Sequence, residues 1–229
     1  MLSEEADGER TGKVIRTEPK AQGILFVVSS PSGGGKGTLV QCALKALGPG
    51  LSYSVSYTTR APRPGEVDGR EYCFVSADKF KQMVAAGEFL EWANVHGNLY
   101  GTGNAQVRRE ISSGRDIILE VDVQGAASVR QRIKDSVSIF ILPPSFDTLR
   151  QRLMARGTDT TDELELRLNN APIELKDYAS FDYIIINDEI ERAASQLTSI
   201  IYAERARRSR QEPFVRKIIE TFALDGTNK

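Results

Sequence analysis

GILFVVSSPSGGGKGTLVQCALKAL, residues 23–47, decides the architecture. Its first part, residues 23–30, is a short continuous apolar run with β-branched residues, which reads as a strand buried on both faces. Leu39, Cys42, Ala43 and Leu47 then recur at helical spacing over residues 38–47. Between strand and helix lies Ser30-Pro31-Ser32-Gly33-Gly34-Gly35-Lys36-Gly37-Thr38. Glycines let backbone N–H groups turn inward around an anion without Cβ clashes, the helix N-terminus adds positive partial charge, and Lys36 adds a full one. Three consecutive glycines at a helix start serve folding poorly, so the loop is read as a phosphate cradle, a P-loop. It departs from the strict pattern twice. Ser30 stands where the first glycine belongs, and Gly37 stands where a serine or threonine belongs, with Thr38 one place on. A magnesium ion would therefore be held by Thr38 or through water and phosphate oxygens.

Outward from this unit, residues 116–121, 138–142 and 182–186 are further apolar strand candidates. Helical patterns follow them at 124–133, 145–155 and 189–208. The alternation implies an α/β fold, a P-loop NTPase-type parallel sheet flanked by helices. Two stretches break the rhythm. Residues 54–102 combine short strand-like pieces, turn signals and a short helix near 77–86, which reads as a small mixed insertion. Residues 156–176 are polar and charged, which reads as a mobile helical lid. The expected division is a flexible tail at 1–22, a core from 23–53, 103–155 and 177–222, insertions at 54–102 and 156–176, and a tail at 223–229. Ligands in open α/β sheets bind beyond the carboxyl ends of the strands, where both insertions leave the core.

The chain has 229 residues, 40% hydrophobic and 27% charged, with a formal net charge of −1. That composition is ordinary for a globular chain, and its charge supplies no global field for nucleic acid or anionic membrane. No apolar run approaches the roughly 20 residues of a membrane span. Two cysteines and one histidine make a structural zinc site a poor reading. The free thiols fit a reducing compartment, and a cytoplasmic location is expected. The arginine-rich residues 204–216 read as a solvated helix end. Nothing decides between monomer and homo-oligomer.

Three segments join the loop PSGGGKGT in a resemblance to the guanylate kinase family that spans roughly residues 23–222: SVSYTTRAPRPGEVDGREYCFVS (54–76), EFLEWANVHGNLYGT (88–102) and LEVDVQGA (119–126). The resemblance implies transfer of the γ-phosphoryl group of ATP to GMP or dGMP, giving ADP and GDP, with Mg²⁺, in purine metabolism and GMP recycling. It places the GMP phosphate on Arg60, Arg63, Tyr72 and Tyr100, with Glu66 and Gly101 nearby. Two arginines three apart can both fork onto one phosphate. Guanine carries N1–H and N2–H₂ donors side by side, so a carboxylate accepting both is a selective reader; Glu91 matches that role. Ser56 matches the reader of the O6 side, and Thr102 and Asp122 match further GMP contacts.

On the ATP side the resemblance implies the loop 30–38 together with Arg152 and Asn187. Lys36, Arg63, Arg156 and Arg167 match catalytic positions, the last two in the lid. Phosphoryl transfer depends on positioning and charge neutralisation, and arginines that arrive with closure suit it. The acceptor is already anionic, so His96 is read as a surface or structural residue, not a general base. Two other readings compete: a scaffold-type binding module that holds phosphorylated peptides in the same pocket, and a kinase with another acceptor. The intact Lys36 loop and lid arginines weigh against the first; Glu91, Ser56 and Tyr72 weigh against the second.

Overall fold

The computed structural model describes residues 22–95, 97–157 and 160–225. In chain order, β1 (Leu25–Ser29) leads through the glycine-rich loop into α1 (Lys36–Leu47), and β2 (Leu51–Tyr53) follows. The next section holds β3 (Tyr57–Thr58), β4 (Cys73–Phe74), α2 (Ala77–Ala85), β5 (Phe89–Val95) and β6 (Asn98–Gly103). α3 (Asn104–Ser112) returns the chain to β7 (Asp116–Glu120), α4 (Val123–Arg132), β8 (Val137–Leu142) and α5 (Phe146–Arg156). The remaining elements are α6 (Thr161–Leu175), β9 (Tyr183–Ile186), α7 (Ile190–Arg205) and α8 (Arg208–Asp225).

The main sheet has the order β2-β7-β1-β8-β9, and its neighbouring pairs are parallel. β1 lies at its centre and is buried along its whole length. Alternation explains how one continuous apolar run serves two cores. Phe26 and Val28 face a cluster with Leu39, Val40 and Ala43 of α1 and Ala193, Leu197 and Ile201 of α7. Leu25 and Val27 face the opposite cluster, with Val107 of α3 and Ala126 and Val129 of α4. Helices on both faces and a parallel sheet are the α/β arrangement the apolar runs predict.

The second sheet, β4-β3-β6-β5, is mixed: β3 pairs parallel with β4 and antiparallel with β6, which also pairs antiparallel with β5. Its own small core stacks Phe80 on Phe89 at 4.5 Å, with Met83 beside them. A Cβ on Gly101 would lie 2.9 Å from the Phe89 ring, so glycine is what lets β6 pass over this core.

α6 begins with a reciprocal capping box. The Glu163 amide donates to the Thr160 hydroxyl, and the Glu163 side chain accepts from the Thr160 amide at 2.8 Å. Thr160→Ala is expected to cost the helix start about 1 kcal/mol. Faster hydrogen exchange at Asp162–Leu164, with unchanged exchange in β1, is the measurement that checks it.

The expected helix over 189–208 is two helices. α7 ends at Arg205, and Glu204, 1% exposed, draws in Arg207 at 2.8 Å and the Tyr183 hydroxyl at 2.6 Å. A buried carboxylate needs such partners. The arginine-rich segment is therefore not wholly solvated, because Arg207 and Arg210 turn back onto Glu204. Residues 1–21, His96 and 226–229 lie outside the described residues, as does the reading of His96; of the tail expected at 223–229, residues 223–225 belong to α8.

Candidate active site

The phosphate loop is shaped by two glycines at positive φ, Gly33 at 86° and Gly35 at 91°. A side chain at Gly35 would be strained twice over, because its Cβ would also lie 2.1 Å from Asn187 Nδ2. Asn187 explains the crowding. It follows β9, is 2% exposed, and donates from Nδ2 to Gly34 O at 2.9 Å. Arg152 on α5 donates in turn to Asn187 O at 2.9 Å. Both residues thus brace the loop from behind and are absent from the cleft lining. α1 starts without a side-chain cap and with no acidic residue in its first turn. That leaves its N-terminus suited to an anion.

In front of the loop is a cleft of about 480 Å³. Lys36, Arg63 and Arg167, from three remote segments, all line it, with Ser30–Gly33, Gly35, Gly37 and Thr38 of the loop. Lys36 Nζ donates to Val121 O at 3.0 Å, which rests the ammonium across the carboxyl ends of β1 and β7.

The second sheet forms the opposite wall. Arg60 Nη2 donates to both oxygens of Glu66, at 2.8 and 2.9 Å, and the Arg63 amide donates to the same carboxylate at 2.7 Å. Burial would raise the Glu66 carboxyl, but Arg60 and the Arg63 amide outweigh it and hold it below the usual range. Glu66 therefore fixes both arginine positions before any ligand arrives. The Arg60 guanidinium lies 5.4 Å from the centre of the Tyr72 ring, and Tyr72 meets Tyr100 edge to face. Burial pushes the Tyr72 hydroxyl up to about 12, which keeps it a donor.

Glu91 lies on β5 and is 4% exposed, yet its side chain reaches the cleft. Burial pushes its carboxyl up to about 7; Asp122 adds to the push, while the Thr102 hydrogen bonds and Arg132 oppose it. The Thr102 hydroxyl donates to Glu91 Oε1 at 2.5 Å. Thr102 is fully buried, so it stands behind Glu91 and does not line the cleft. Ser56, Tyr100, Gly101 and Asp122 do line it. Asp122 also caps α4, its Oδ1 accepting the Gly125 amide at 2.9 Å. Of the lid pair, Arg167 donates to the Ser32 hydroxyl at 2.7 Å. The side chain of Arg156 lies outside the described residues.

Two carboxylates that the sequence motifs do not single out also face the loop. Glu120 ends β7, and a Cβ on Gly37 would lie 3.4 Å from its Oε2. Burial raises its carboxyl, against the pull of Lys36 and a hydrogen bond from Tyr53. Glu174, near the end of α6, accepts the Ser32 amide at 3.3 Å. Glu120 lies inside the motif LEVDVQGA, where a carboxylate at the end of an apolar strand was the available signal of a role. Glu174 sits in a polar helix with no pattern to mark it.

The cleft thus has the glycine-rich loop and Lys36 on one wall, Arg60 and Arg63 on the other, and a buried carboxylate, Glu91, reaching into it. The guanylate kinase family model matches residues 22–204. A guanylate kinase of Symbiobacterium thermophilum is 47% identical over 206 residues, covering 90% of this chain and 97% of the relative. One from Thiobacillus denitrificans is 48% identical, covering 85% and 93%. The crystal structure of guanylate kinase from Anaplasma phagocytophilum superposes with a TM-score of 0.71 at 33% identity, covering 83% of this chain and 90% of that one.

Proposed function

The chain belongs to the guanylate kinase family, a family of nucleoside monophosphate kinases that phosphorylate GMP, and we propose that its cleft divides that work as follows. The loop amides of residues 30–38 receive the β- and γ-phosphates of ATP, and Lys36 leaves Val121 O to follow the transferring group. Arg60 and Arg63, set by Glu66, take the GMP phosphate with the Tyr72 and Tyr100 hydroxyls. Glu91 accepts from guanine N1–H and N2–H₂, and Ser56 reads the O6 side. Arg167 and Arg156 bring positive charge from the lid, residues 156–176, as it closes over the core, and closure excludes water that would hydrolyse ATP. Residues 54–102 act as the GMP-binding unit. The acceptor oxygen is an anion near neutral pH, so no general base is needed.

The residues present fit a magnesium ion. Gly37 supplies no hydroxyl, but the Glu120 carboxylate stands beside it, and Thr38 is exposed at the start of α1. Glu120 and Thr38 would hold the ion largely through its water. Mg²⁺ would neutralise charge on the β- and γ-phosphates.

The observation that carries this reading is the convergence of Lys36, Arg63 and Arg167 on one cleft that also holds buried Glu91. The test is an acceptor panel on purified protein with ATP and Mg²⁺: GMP, dGMP, AMP and UMP. GDP and dGDP are the expected products. A preference for AMP, or no GDP, would defeat the reading. We place the reaction in the cytoplasm, in purine metabolism and GMP recycling. Among the described residues, no helix is long and apolar enough to cross a membrane.

A further inference from the structure

Ser32 is gripped twice by α6. Its amide donates to Glu174 Oε2 at 3.3 Å, and its hydroxyl accepts from the Arg167 guanidinium at 2.7 Å. Arg167 and Glu174 are seven positions apart, two turns of helix, so they share a face. That face lies against the loop because α6 is clamped to α5: Ala171, Leu164 and Leu168 pack with Leu149 and Leu153. Leu153 in turn lies where a Cβ on Gly33 would be, at 2.9 Å from its Cγ. In the conformation described, with α6 already against the loop, loop, α5 and α6 therefore form one packed unit, and the Ser32 amide is its polar fastening. Burial raises the Glu174 carboxyl, while the Ser32 amide, Lys36 and Arg167 hold it down. A partly buried acceptor of this kind is costly to leave unmatched, as is the amide it serves.

We propose that Glu174 is a positioning residue that couples the phosphate loop to the arginine-bearing helix. By holding the Ser32 amide it sets the Ser32 hydroxyl against Arg167, and so sets where that guanidinium meets the γ-phosphate. It acts through Ser32 and Arg167 and touches no reacting atom. The inference rests on the kinase reading for its turnover arm, and on the phosphate loop alone for its binding arm.

The test uses the full chain with Glu174→Ala and Glu174→Gln, the latter keeping a side-chain oxygen acceptor at the same reach. In the binding arm, calorimetry with ATP alone should show affinity weakened about tenfold by Glu174→Ala and restored to within about threefold of wild type by Glu174→Gln, the size expected of one charge-assisted hydrogen bond. In the turnover arm, kcat should fall about tenfold for Glu174→Ala with the GMP KM within about twofold. In an Arg167→Ala background Glu174→Ala should cost little more, because the two act as a unit. Tighter ATP binding in Glu174→Ala would overturn the proposal, since the carboxylate would then be a competitor of phosphate. Additive losses with Arg167→Ala, or a Gln variant as weak as the Ala one, would overturn it equally. A wild type that binds ATP but makes no GDP would sink the kinase reading and leave the binding arm to stand or fall by itself.

Discussion

Glu91→Gln is expected to lower kcat/KM for GMP by roughly 10³-fold while leaving ATP binding within about twofold, because a pocket built to pair a polar edge discriminates at about that scale or above. The carboxylate offers two acceptor oxygens to two adjacent donors. The amide offers one acceptor and turns a donor on the other, so it leaves a pair of N–H groups facing each other in a dry pocket. Thr102 sharpens the effect, since its hydroxyl already holds Glu91 Oε1 at 2.5 Å and fixes the orientation of the group. Steady-state kinetics with GMP and AMP check this. A loss under about threefold would show that guanine is read elsewhere.

The same residue predicts a pH dependence whose sign is set by burial. The Glu91 carboxyl sits near 7 in the empty pocket, raised mainly by desolvation. Two guanine donors favour its ionised form, so GMP binding lowers that value and releases a proton. GMP affinity should therefore fall as pH drops below about 7, by up to about tenfold per unit, and level off above it. The GMP phosphate, with a second pKa near about 6, titrates in the same direction. Glu91→Gln separates the two: the variant keeps the phosphate's share and loses the pocket's. Stability moves oppositely in the free protein. A carboxyl raised by folding destabilises the fold once ionised, so GMP should lift Tm more at about pH 8 than at about pH 6.

Lys36→Ala should reduce kcat by roughly 10² to 10³-fold, the usual cost of removing one preorganised charge from where charge develops. Its ammonium is held by Val121 O at 3.0 Å, at the mouth of the loop, so little reorganisation separates the resting position from the transferring phosphate. The loss belongs mainly in kcat, because the loop amides still bind ATP. An unchanged kcat would refute the role. The substitution also removes the charge that favours ionised Glu120, so the Glu120 carboxyl should rise further above its already raised position.

The main sheet was legible because burial on both faces leaves runs such as LFVVS and VSIFIL with no charged residue and a single small serine each to blur them. β2 was not: three residues, LSY, carry no period, and its place beside β7 comes from pairing. α3 was missed for a related reason. NAQVRREIS buries only Val107 and Glu110, and Glu110 is buried because Arg115 and Ser52 hydrogen-bond to it, lowering its carboxyl to about 2. In the site, residues inside dense motifs, Lys36, Arg60 and Arg63 among them, could be picked out from local chemistry and resemblance. What residues do behind the site could not. Thr102 orienting Glu91, Asn187 bracing Gly34, and Glu174 fastening Ser32 are contacts between segments 11 to 153 positions apart, and no local pattern encodes them.

The central position of β1 has a consequence for how the chain acquires its shape. Just before it, the hydrogen bond from the Ile24 amide to Asp116 spans 92 positions, its partner β7 begins there, and its other sheet neighbour, β8, lies further on still. During synthesis the opening strand therefore waits, unpaired and apolar, until the entire second sheet has emerged. Such long-range pairing makes assembly slow and leaves the nascent strand exposed to sticking. A chain cut short before residue 116 leaves β1 without a partner in the main sheet, and its nucleotide cleft still lacks Val121, Asp122 and Arg167.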